Sequence, residues 1–245
     1  MSSRFPLDGF DGGGIVTEGR GSRVYHGAGL PSPLSARSQE GDTVARPKRQ
    51  EARRDELVAA AQRAIVKNGP DGARLNRVAA EAGMTAGAVL YYYPDVEELI
   101  LEANRVGMER FYDERMRMID ALDDDPVLRL RSLVDTGLPR DPDDPGVRLL
   151  CELGGSAGRN PIVAALLTTL FDRQVGMYQV VLEQGAARGL FTLGESSVRI
   201  ARNLVALEDA YGYRIVARHP TIDHDAAAEL ILAYARHATG HALAP

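Results

Sequence analysis

The sequence predicts an all-α protein, in which a small N-terminal helix-turn-helix domain precedes a larger helical domain. Apolar residues recur every three or four positions through most of the chain after residue 44. Gly, Pro and Asn stand at the ends of these periodic segments, and no segment alternates apolar and polar residues as a half-buried strand does. We therefore expect a three-helix domain over residues 44–94 and a helical domain over residues 95–245.

Composition places the chain among globular proteins that bury a core. It has 245 residues, of which 44% are hydrophobic and 26% are charged. The single cysteine, Cys151, cannot form an intramolecular disulfide, which favours a reducing cytoplasm and a structural thiol. No apolar run approaches the roughly 20 residues that span a bilayer, and the first residues lack a signal-peptide pattern. We expect a cytoplasmic protein with no membrane partner.

The charge of the chain is unevenly distributed. The formal net charge is -5, yet residues 44–93 hold nine Lys and Arg against five Asp and Glu. Residues 94–245 hold 16 Lys and Arg against 24 Asp and Glu. A small basic module joined to an acidic body is typical of proteins that bind a polyanion through one domain.

The first two helices follow from apolar periodicity and from their stop signals. The apolar positions of "RRDELVAAAQRAIVKN" share one helical face and predict a helix from about Arg53 to Asn68, which Gly69 ends. After a turn at "PDG", the stretch "LNRVAAEAG" predicts a second, short helix that ends at Gly83.

The next residues have the spacing of a helix-turn-helix. Ala79 is small enough for two helices to approach, Gly83 can adopt the left-handed conformation, and Val89 can fill the space between the helices. Thr85 is a good N-cap for a third helix from about Ala86 to Tyr93. Pro94 ends that helix, and "DVEEL" has the capping box of a fourth.

Residues 53–101 resemble the DNA-binding domain of the TetR family of transcriptional regulators. The motifs that carry the resemblance are Val78-Ala79, "AGMT" at 82–85, Gly87, "VLYYY" at 89–93 and "DVEEL" at 95–99. The rest of the chain is similar to the family's helical ligand-binding and dimerisation domain, in particular the choline-regulator type, through "GLFTLGE" and "LVALEDAYGY". The resemblance implies a repressor that binds a double-stranded palindromic operator as a homodimer and is released by a small molecule.

The DNA-binding residues implied by this resemblance lie in the first three helices. Lys and Arg residues of the segment before the first helix, and of the first two helices, would bind DNA phosphates, while the third helix would lie in the major groove. The expected contacts are Lys48, Arg49, Arg53, Arg54, Arg74, Arg77, Thr85, Ala86, Ala88, Tyr91 and Tyr92.

The third helix also departs from the family pattern. Leu90 and Val96 stand where the family usually has a phosphate-binding tyrosine and lysine, and residues 83–98 contain no Lys or Arg. Phosphate contacts supply most non-specific affinity, so this helix alone would bind weakly. The alternative function is a small-molecule-binding homodimer of the same fold that has lost operator recognition and acts through a protein partner.

Three consecutive tyrosines end the third helix and admit different roles. Tyr93 occupies the family's phenylalanine position, which favours the core, whereas Tyr91 could pack or contact a phosphate. Tyr92 is the tyrosine that we expect to meet DNA through its hydroxyl. Alternatively, all three form the hydrophobic seam between the third and fourth helices.

The C-terminal half ends in three long predicted helices. Asn160-Pro161 begins one of them, and the last two run from about Glu195 to Arg218 and from about Asp223 to Thr239. The resemblance implies that the last two pair with a second copy as a four-helix bundle, although an apolar stripe can also face the chain's own core. The expected interface residues are Val198, Ala201, Val205, Leu230, Ile231 and Tyr234.

An effector site is expected between the fourth helix and the long helix after Pro161. Aromatic and Met residues could line it and a few polar residues could orient a ligand, although at this spacing the former are more often core and the latter more often surface groups. The candidates are Met108, Phe111, Tyr112, Met116, Arg148, Glu152, Phe171, Met177, Tyr178 and Asp209. The sequence does not identify the effector.

No catalytic or metal pattern stands out, so we predict neither an enzyme nor a cofactor. His237 and His241 have a metal-ligand spacing on a helix, but no Glu or Cys set accompanies them. "GGSAG" lacks the strand before it that a nucleophile elbow requires, and Cys151 has no histidine nearby in sequence.

Residues 1–43 share neither periodicity nor resemblance with the remainder. Their nine glycines and three prolines predict a disordered leader. A Val codon GTG can serve as a bacterial start, and Gln39-Glu40-Gly41 can be encoded with a ribosome-binding sequence just upstream. We therefore expect the native chain to begin at Val44, with a genuine disordered tail as the alternative.

Overall fold

The structure, a computed structural model, describes residues 42–69 and 72–243, and for residues 42–48 it describes the backbone alone. The predicted leader, residues 1–43, therefore lies outside the described residues apart from its last two positions. Within the described residues every regular element is helical, which confirms the predicted all-α class. No described helix is long and apolar enough to cross a membrane.

Nine helices occupy the described residues. Those of the N-terminal region are α1 (Asp42–Asn68), α2 (Leu75–Ala82), α3 (Ala86–Tyr92) and α4 (Val96–Asp120). Those of the C-terminal region are α5 (Pro126–Gly137), α6 (Pro145–Ser156), α7 (Pro161–Ala187), α8 (Ser197–Val216) and α9 (His224–Thr239). The first helix begins at Asp42, well before the predicted Arg53.

The turn between α2 and α3 forms as its sequence indicates. Gly83 ends α2 with φ +64°, and the Thr85 hydroxyl accepts a hydrogen bond from the Ala88 amide at 3.2 Å. Val89 is fully buried beneath α3. Asp95 then caps α4 by accepting from the Glu97 amide at 2.8 Å. These local contacts fix the orientation of α3 relative to α2.

Three helices of the C-terminal region begin at an Asp-Pro or Asn-Pro pair. Asn160 accepts from the amides of Ile162 and Val163 at 3.0 and 3.2 Å, as expected for the start of α7. Asp125 and Asp144 cap α5 and α6 in the same way. Proline fits the first turn because its missing N–H would have no helical partner there.

Helix α4 contributes to both hydrophobic cores. Its first half buries Leu99, Ala103 and Met108 in a core that it shares with α1, α2 and α3. Ile119 near its end belongs to the second core, which α5, α7, α8 and α9 build. The N-terminal core also takes in residues of α6 and α7, so packing continues across the predicted boundary at residue 94.

The apolar stripes of α8 and α9 face inward. Ala201, Val205 and Ile231 have no exposed surface, because α8 and α9 pack against each other and α8 also packs against α7. These three residues belong to the chain's own core and cannot contact a second copy in this fold. Val198 and Tyr234 are half-buried, and Leu230 remains 44% exposed.

Candidate DNA-binding surface and ligand cavity

One face of α3 points away from the protein. Gly87, in the first turn of α3, shares this face with Leu90, which is 38% exposed, and with Tyr91, which is 69% exposed. Tyr92 is half-buried against the N-terminal core, and its ring makes an edge-on contact with the Tyr91 ring at 5.0 Å. The surface that α3 offers to a partner is therefore mostly apolar.

Tyr93 and Arg54 form a contact inside the N-terminal domain. The Tyr93 ring is fully buried, and its hydroxyl accepts a hydrogen bond from Arg54 Nε at 3.3 Å. The Arg54 guanidinium stacks over the same ring, 4.3 Å from its centre, and lies 3.9 Å from Glu102. The hydrogen bond raises the pKa of Arg54, and burial raises the pKa of Tyr93. Arg54 thus connects α1 to the end of α3.

The other basic residues near α3 differ in how freely they can meet a phosphate. Arg49 is exposed, Arg53 pairs with Glu56 within α1, and the side chain of Lys48 is not described. Arg74 and Arg77 are exposed at the start of α2 and form no ion pair with a described residue. They are the cations closest in sequence to α3 that are not engaged in such a pair.

Two further cations of α1 are held by α2. Lys67 Nζ lies 2.7 Å from Glu81, and Arg63 donates to the Glu81 carbonyl at 2.9 Å. Arg63 Nε also lies 3.4 Å from the Glu81 carboxylate, and Lys67, followed by Arg63, lowers the pKa of Glu81. These contacts connect α1 to α2.

A cavity of about 570 Å³ lies among α4, α5, α6, α7 and α8. Phe111, Phe171 and Tyr213 contribute aromatic surface, while Gly154 and Gly155 of α6 leave room because a Cβ at either position would meet nothing within 4 Å. The remaining lining residues are Gly137, Val147, Leu150, Cys151, Leu167, Thr168, Leu170, Gln174, Glu208, Asp209 and Gly212. Its size suits a small organic molecule.

A buried ion pair adjoins the cavity. Arg115 donates from both terminal nitrogens to the Glu208 carboxylate, at 2.8 and 3.2 Å, and also to the Leu133 carbonyl at 2.8 Å. The Tyr178 hydroxyl donates to the same carboxylate, and burial raises the pKa of Tyr178 well above its usual value. Burial also raises the pKa of Glu208, although Arg115 opposes that effect. A side chain on Gly137 would overlap the Glu208 carboxylate, so this position requires glycine.

The partners of this ion pair face different spaces. Glu208 lines the cavity just described, whereas Arg115 lines a second groove of about 560 Å³ between α1, α4 and the α5–α6 connection. Phe111 and Val147 line both. The ion pair and these two side chains therefore separate the effector-sized cavity from the groove that reaches α1.

Asp209 supplies a second carboxylate at the cavity. It remains exposed at the rim, yet desolvation raises the pKa of its carboxyl to about 6, against the opposing charge of Arg115. Burial, with the neighbouring Glu152 and Asp209, raises the pKa of Cys151 to about 11. The thiol is therefore protonated at neutral pH, which does not suit a nucleophile.

The family of the N-terminal domain follows from residues 57–103. They match the family model of bacterial regulatory proteins, tetR family. This segment is a TetR-family DNA-binding domain. It contains the end of α1, the helix-turn-helix of α2 and α3, and the first part of α4.

Solved structures extend the likeness to the whole described fold. A transcriptional regulator from Saccharomonospora viridis in complex with choline aligns with a TM-score of 0.70 at 22% identity, over 77% of this chain and 97% of its own. A TetR transcription regulator from Haloarcula marismortui aligns with a TM-score of 0.68 at 24% identity, over 77% and 99%. The fatty acid degradation regulator FadR from Bacillus halodurans gives 0.60 at 18%, over 74% and 96%. No curated protein sequence matches the chain.

The structure brings some of the predicted effector-site residues together. Phe111, Phe171 and Asp209 line the cavity. Tyr178 does not line it, but its hydroxyl donates a hydrogen bond to Glu208, which does. The others lie elsewhere: Met108 in the N-terminal core, Met116 and Met177 in the C-terminal core, Tyr112 beneath the Arg173 guanidinium, Arg148 beside Asp143, and Glu152 near Gly69.

Sequence reasoning missed several residues of the cavity wall. Glu208 and Gln174 are polar residues that are almost fully buried, and Gly154 and Gly155 open the wall of α6. One signal was available, because two adjacent glycines inside a predicted helix weaken that helix and commonly mark a packing or binding requirement. Nothing local marked Arg115 as the partner of Glu208.

Proposed function

We propose that this TetR-family chain is a transcriptional repressor that binds a palindromic operator as a homodimer and leaves it when a small organic cation enters the cavity. The observation that carries the proposal is that α4 joins an exposed helix-turn-helix to a cavity of ligand size. A ligand can release DNA only if it binds the non-operator conformation better than the operator-bound one. Helix α4 contacts both the DNA-binding helices and the cavity, so it can couple ligand binding to the equilibrium between the operator-bound and non-operator conformations.

Operator affinity rests on cations outside α3. Arg49 and Arg53 on α1, with Arg74 just before α2 and Arg77 within it, are exposed and can neutralise phosphates beside the groove that α3 enters. The absence of Lys and Arg from residues 83–98 means that these four residues have no substitute within α3 itself. Sequence-independent affinity should therefore be sensitive to their removal.

The double variant Arg53→Ala, Arg77→Ala should weaken binding to all duplexes. Each lost phosphate contact reduces the slope of log affinity against log salt by about 0.9, so we expect a total reduction of about 2. Fluorescence anisotropy with a labelled duplex from the chain's own upstream region, over a range of salt concentrations, measures this slope.

Arg117→Ala is the matched control, because Arg117 is an exposed arginine in the last turn of α4. It should leave the slope unchanged. An unchanged slope in the double variant would show that Arg53 and Arg77 do not meet phosphates. If the wild-type chain binds no duplex even at low salt, the alternative of a regulator acting through a protein partner is favoured.

The outer face of α8 and α9 is the surface that we assign to dimerisation. Its exposed residues include Ala206, Ala210 and Tyr213 on α8, and Leu230 and Ala233 on α9. Small side chains allow helices of two copies to approach closely, and Leu230 and Tyr213 supply apolar area. A two-fold dimer would place two α3 helices on half-sites about one helical turn, roughly 34 Å, apart or a multiple of it.

The charges of the cavity favour a cation as the effector. Among the described residues that line it, the charged side chains are Glu208 and Asp209, and Arg115 already neutralises the first. Phe111, Phe171 and Tyr213 add aromatic surface that attracts cations. The similar regulator from Saccharomonospora viridis, whose structure contains choline, supports the same ligand class.

Affinity for choline should rise with pH. Because the pKa of Asp209 is raised to about 6, its carboxyl is largely neutral below that pH and charged above it. Choline keeps its charge throughout, so its affinity should increase as pH rises through about 6 and then level off. Isothermal titration between pH 5 and 8 measures this dependence.

Two controls isolate the charge of Asp209. Asp209→Asn should weaken choline binding at pH 8 by roughly tenfold and abolish the pH dependence. The uncharged isostere 3,3-dimethylbutan-1-ol should bind independently of pH. Equal affinity of the wild-type chain for choline and for this alcohol would contradict a cation site.

A further inference from the structure

The exposed face of α3 lacks the side chains that most often read bases. Residues 83–98 contain no Lys, Arg, Asn or Gln. The polar groups that α3 and its cap offer are the hydroxyls of Thr85, Tyr91 and Tyr92, and Thr85 already caps the helix. Asp95, Glu97 and Glu98 follow, but they belong to the start of α4, where Asp95 is the cap.

The chemistry of the major groove narrows what such a face can recognise. Guanine is read chiefly by Arg or Lys, adenine by Asn or Gln, and cytosine by a carboxylate. Thymine is distinguished by its 5-methyl group, which favours apolar contact. The groups that α3 exposes around Gly87 are the apolar side chain of Leu90, the ring of Tyr91 and the methyl of Ala86, which is half-buried.

Gly87 provides a second, independent observation. It lies in the first turn of α3 on the exposed face, and a Cβ built there would meet nothing within 4 Å. Its backbone does not adopt a positive φ, so neither packing nor conformation requires glycine. Glycine in a helix is destabilising relative to alanine, and the close approach of a partner to the exposed face of α3 would favour glycine at this position.

We propose that α3 reads its operator half-site through the 5-methyl groups of thymines, with Leu90, Tyr91 and Ala86 against these methyls and Gly87 at the closest approach to the bases. This inference rests on the proposed function, because it assumes that the exposed face of α3 enters the groove of an operator. The cations of α1 and α2 then supply affinity, while the apolar face of α3 supplies the discrimination between sequences.

Parallel selections from random duplex pools test the proposal. One pool is synthesised with dTTP and the other with dUTP, which differs by the absence of the 5-methyl group. The thymine pool should converge on half-sites with a thymine-rich centre, and the uracil pool should not. In a selected duplex, each dT→dU change at a contacted position should weaken binding about threefold to fivefold, the effect of one buried methyl, without changing the salt slope.

The outcomes separate this inference from the proposed function. If uracil duplexes are bound as tightly as thymine duplexes while scrambled duplexes are not, the chain reads an operator by other means and the inference is wrong. If neither pool yields a duplex bound above background at low salt, the proposed function fails and the inference with it. Leu90→Ala should bring the thymine-to-uracil affinity ratio at its position close to one; an unchanged ratio at every position would exclude Leu90 from the contact.

Gly87→Ala tests the close approach separately. The added methyl should raise the urea midpoint of unfolding and lower the affinity for the selected duplex at least fivefold. Gly176→Ala is the matched control, because Gly176 also lies within a helix, α7, with nothing within 4 Å of its Cβ position. It should stabilise the chain without affecting DNA binding. Unchanged affinity in Gly87→Ala would rule out Gly87 as the point of closest approach.

Discussion

Glu208→Ala is expected to lower the free energy of unfolding by about 3–5 kcal/mol, the usual effect of removing one partner of a buried ion pair. Arg115 and Glu208 are each 2% exposed, so the Arg115 guanidinium would remain buried without its carboxylate. The Tyr178 hydroxyl would lose its acceptor as well. Urea denaturation followed by far-UV circular dichroism measures the loss.

Two further variants separate the charge from the volume of the side chains. Glu208→Gln keeps an acceptor for Tyr178 and should cost less than Glu208→Ala. Arg115→Met combined with Glu208→Leu removes both charges and should recover most of the stability, because a well-packed apolar pair can replace a buried ion pair. A loss below about 1 kcal/mol in Glu208→Ala would mean that Arg115 finds water or another acceptor.

Val205→Asp and Leu230→Asp should have different consequences, although both residues belong to the apolar stripes of α8 and α9. Val205 is fully buried, so Asp there loses about 1.5–3 kcal/mol of apolar burial and adds the desolvation of a charge. The Val205 variant should not fold at 25 °C. Leu230 is 44% exposed, so its variant should keep the wild-type helicity and lose self-association.

Circular dichroism and sedimentation velocity on the same samples distinguish the two effects. Glu229→Ala is a control for Leu230→Asp, since Glu229 is an exposed neighbour on α9 that pairs with Arg236. A wild-type monomer at micromolar concentration would contradict both the assigned dimer surface and a palindromic operator.

Local signals predicted the helix-turn-helix correctly. Gly83, Thr85 and Val89 act through neighbours within a few residues, and their roles follow from backbone conformation, capping and one buried contact. Asn160-Pro161 predicted the start of α7 for the same reason. Helix caps and tight turns depend on residues that are close in sequence, so a single sequence is enough to predict them.

The ion pair beside the cavity could not be predicted in this way. Arg115 and Glu208 are 93 positions apart, and charged residues in helices are usually exposed, so neither stood out within its helix. The stripes of α8 and α9 show a related limit. Periodicity shows that Ala201, Val205 and Ile231 share a buried face, but it does not show whether the same chain or a second copy buries that face.

The position of α4 in two cores has a simple geometric consequence. From Arg115 back to Val96 the helix is about 28 Å long at 1.5 Å per residue. A rotation of about 5° around the Arg115 end would move the Val96 end by about 2.5 Å, and opposite motions in two subunits would change the distance between their α3 helices by about 5 Å, against a half-site spacing of roughly 34 Å. In the proposed dimer, a rotation of a few degrees about the point where Arg115 meets Glu208 would thus suffice to displace the two α3 helices from their half-sites.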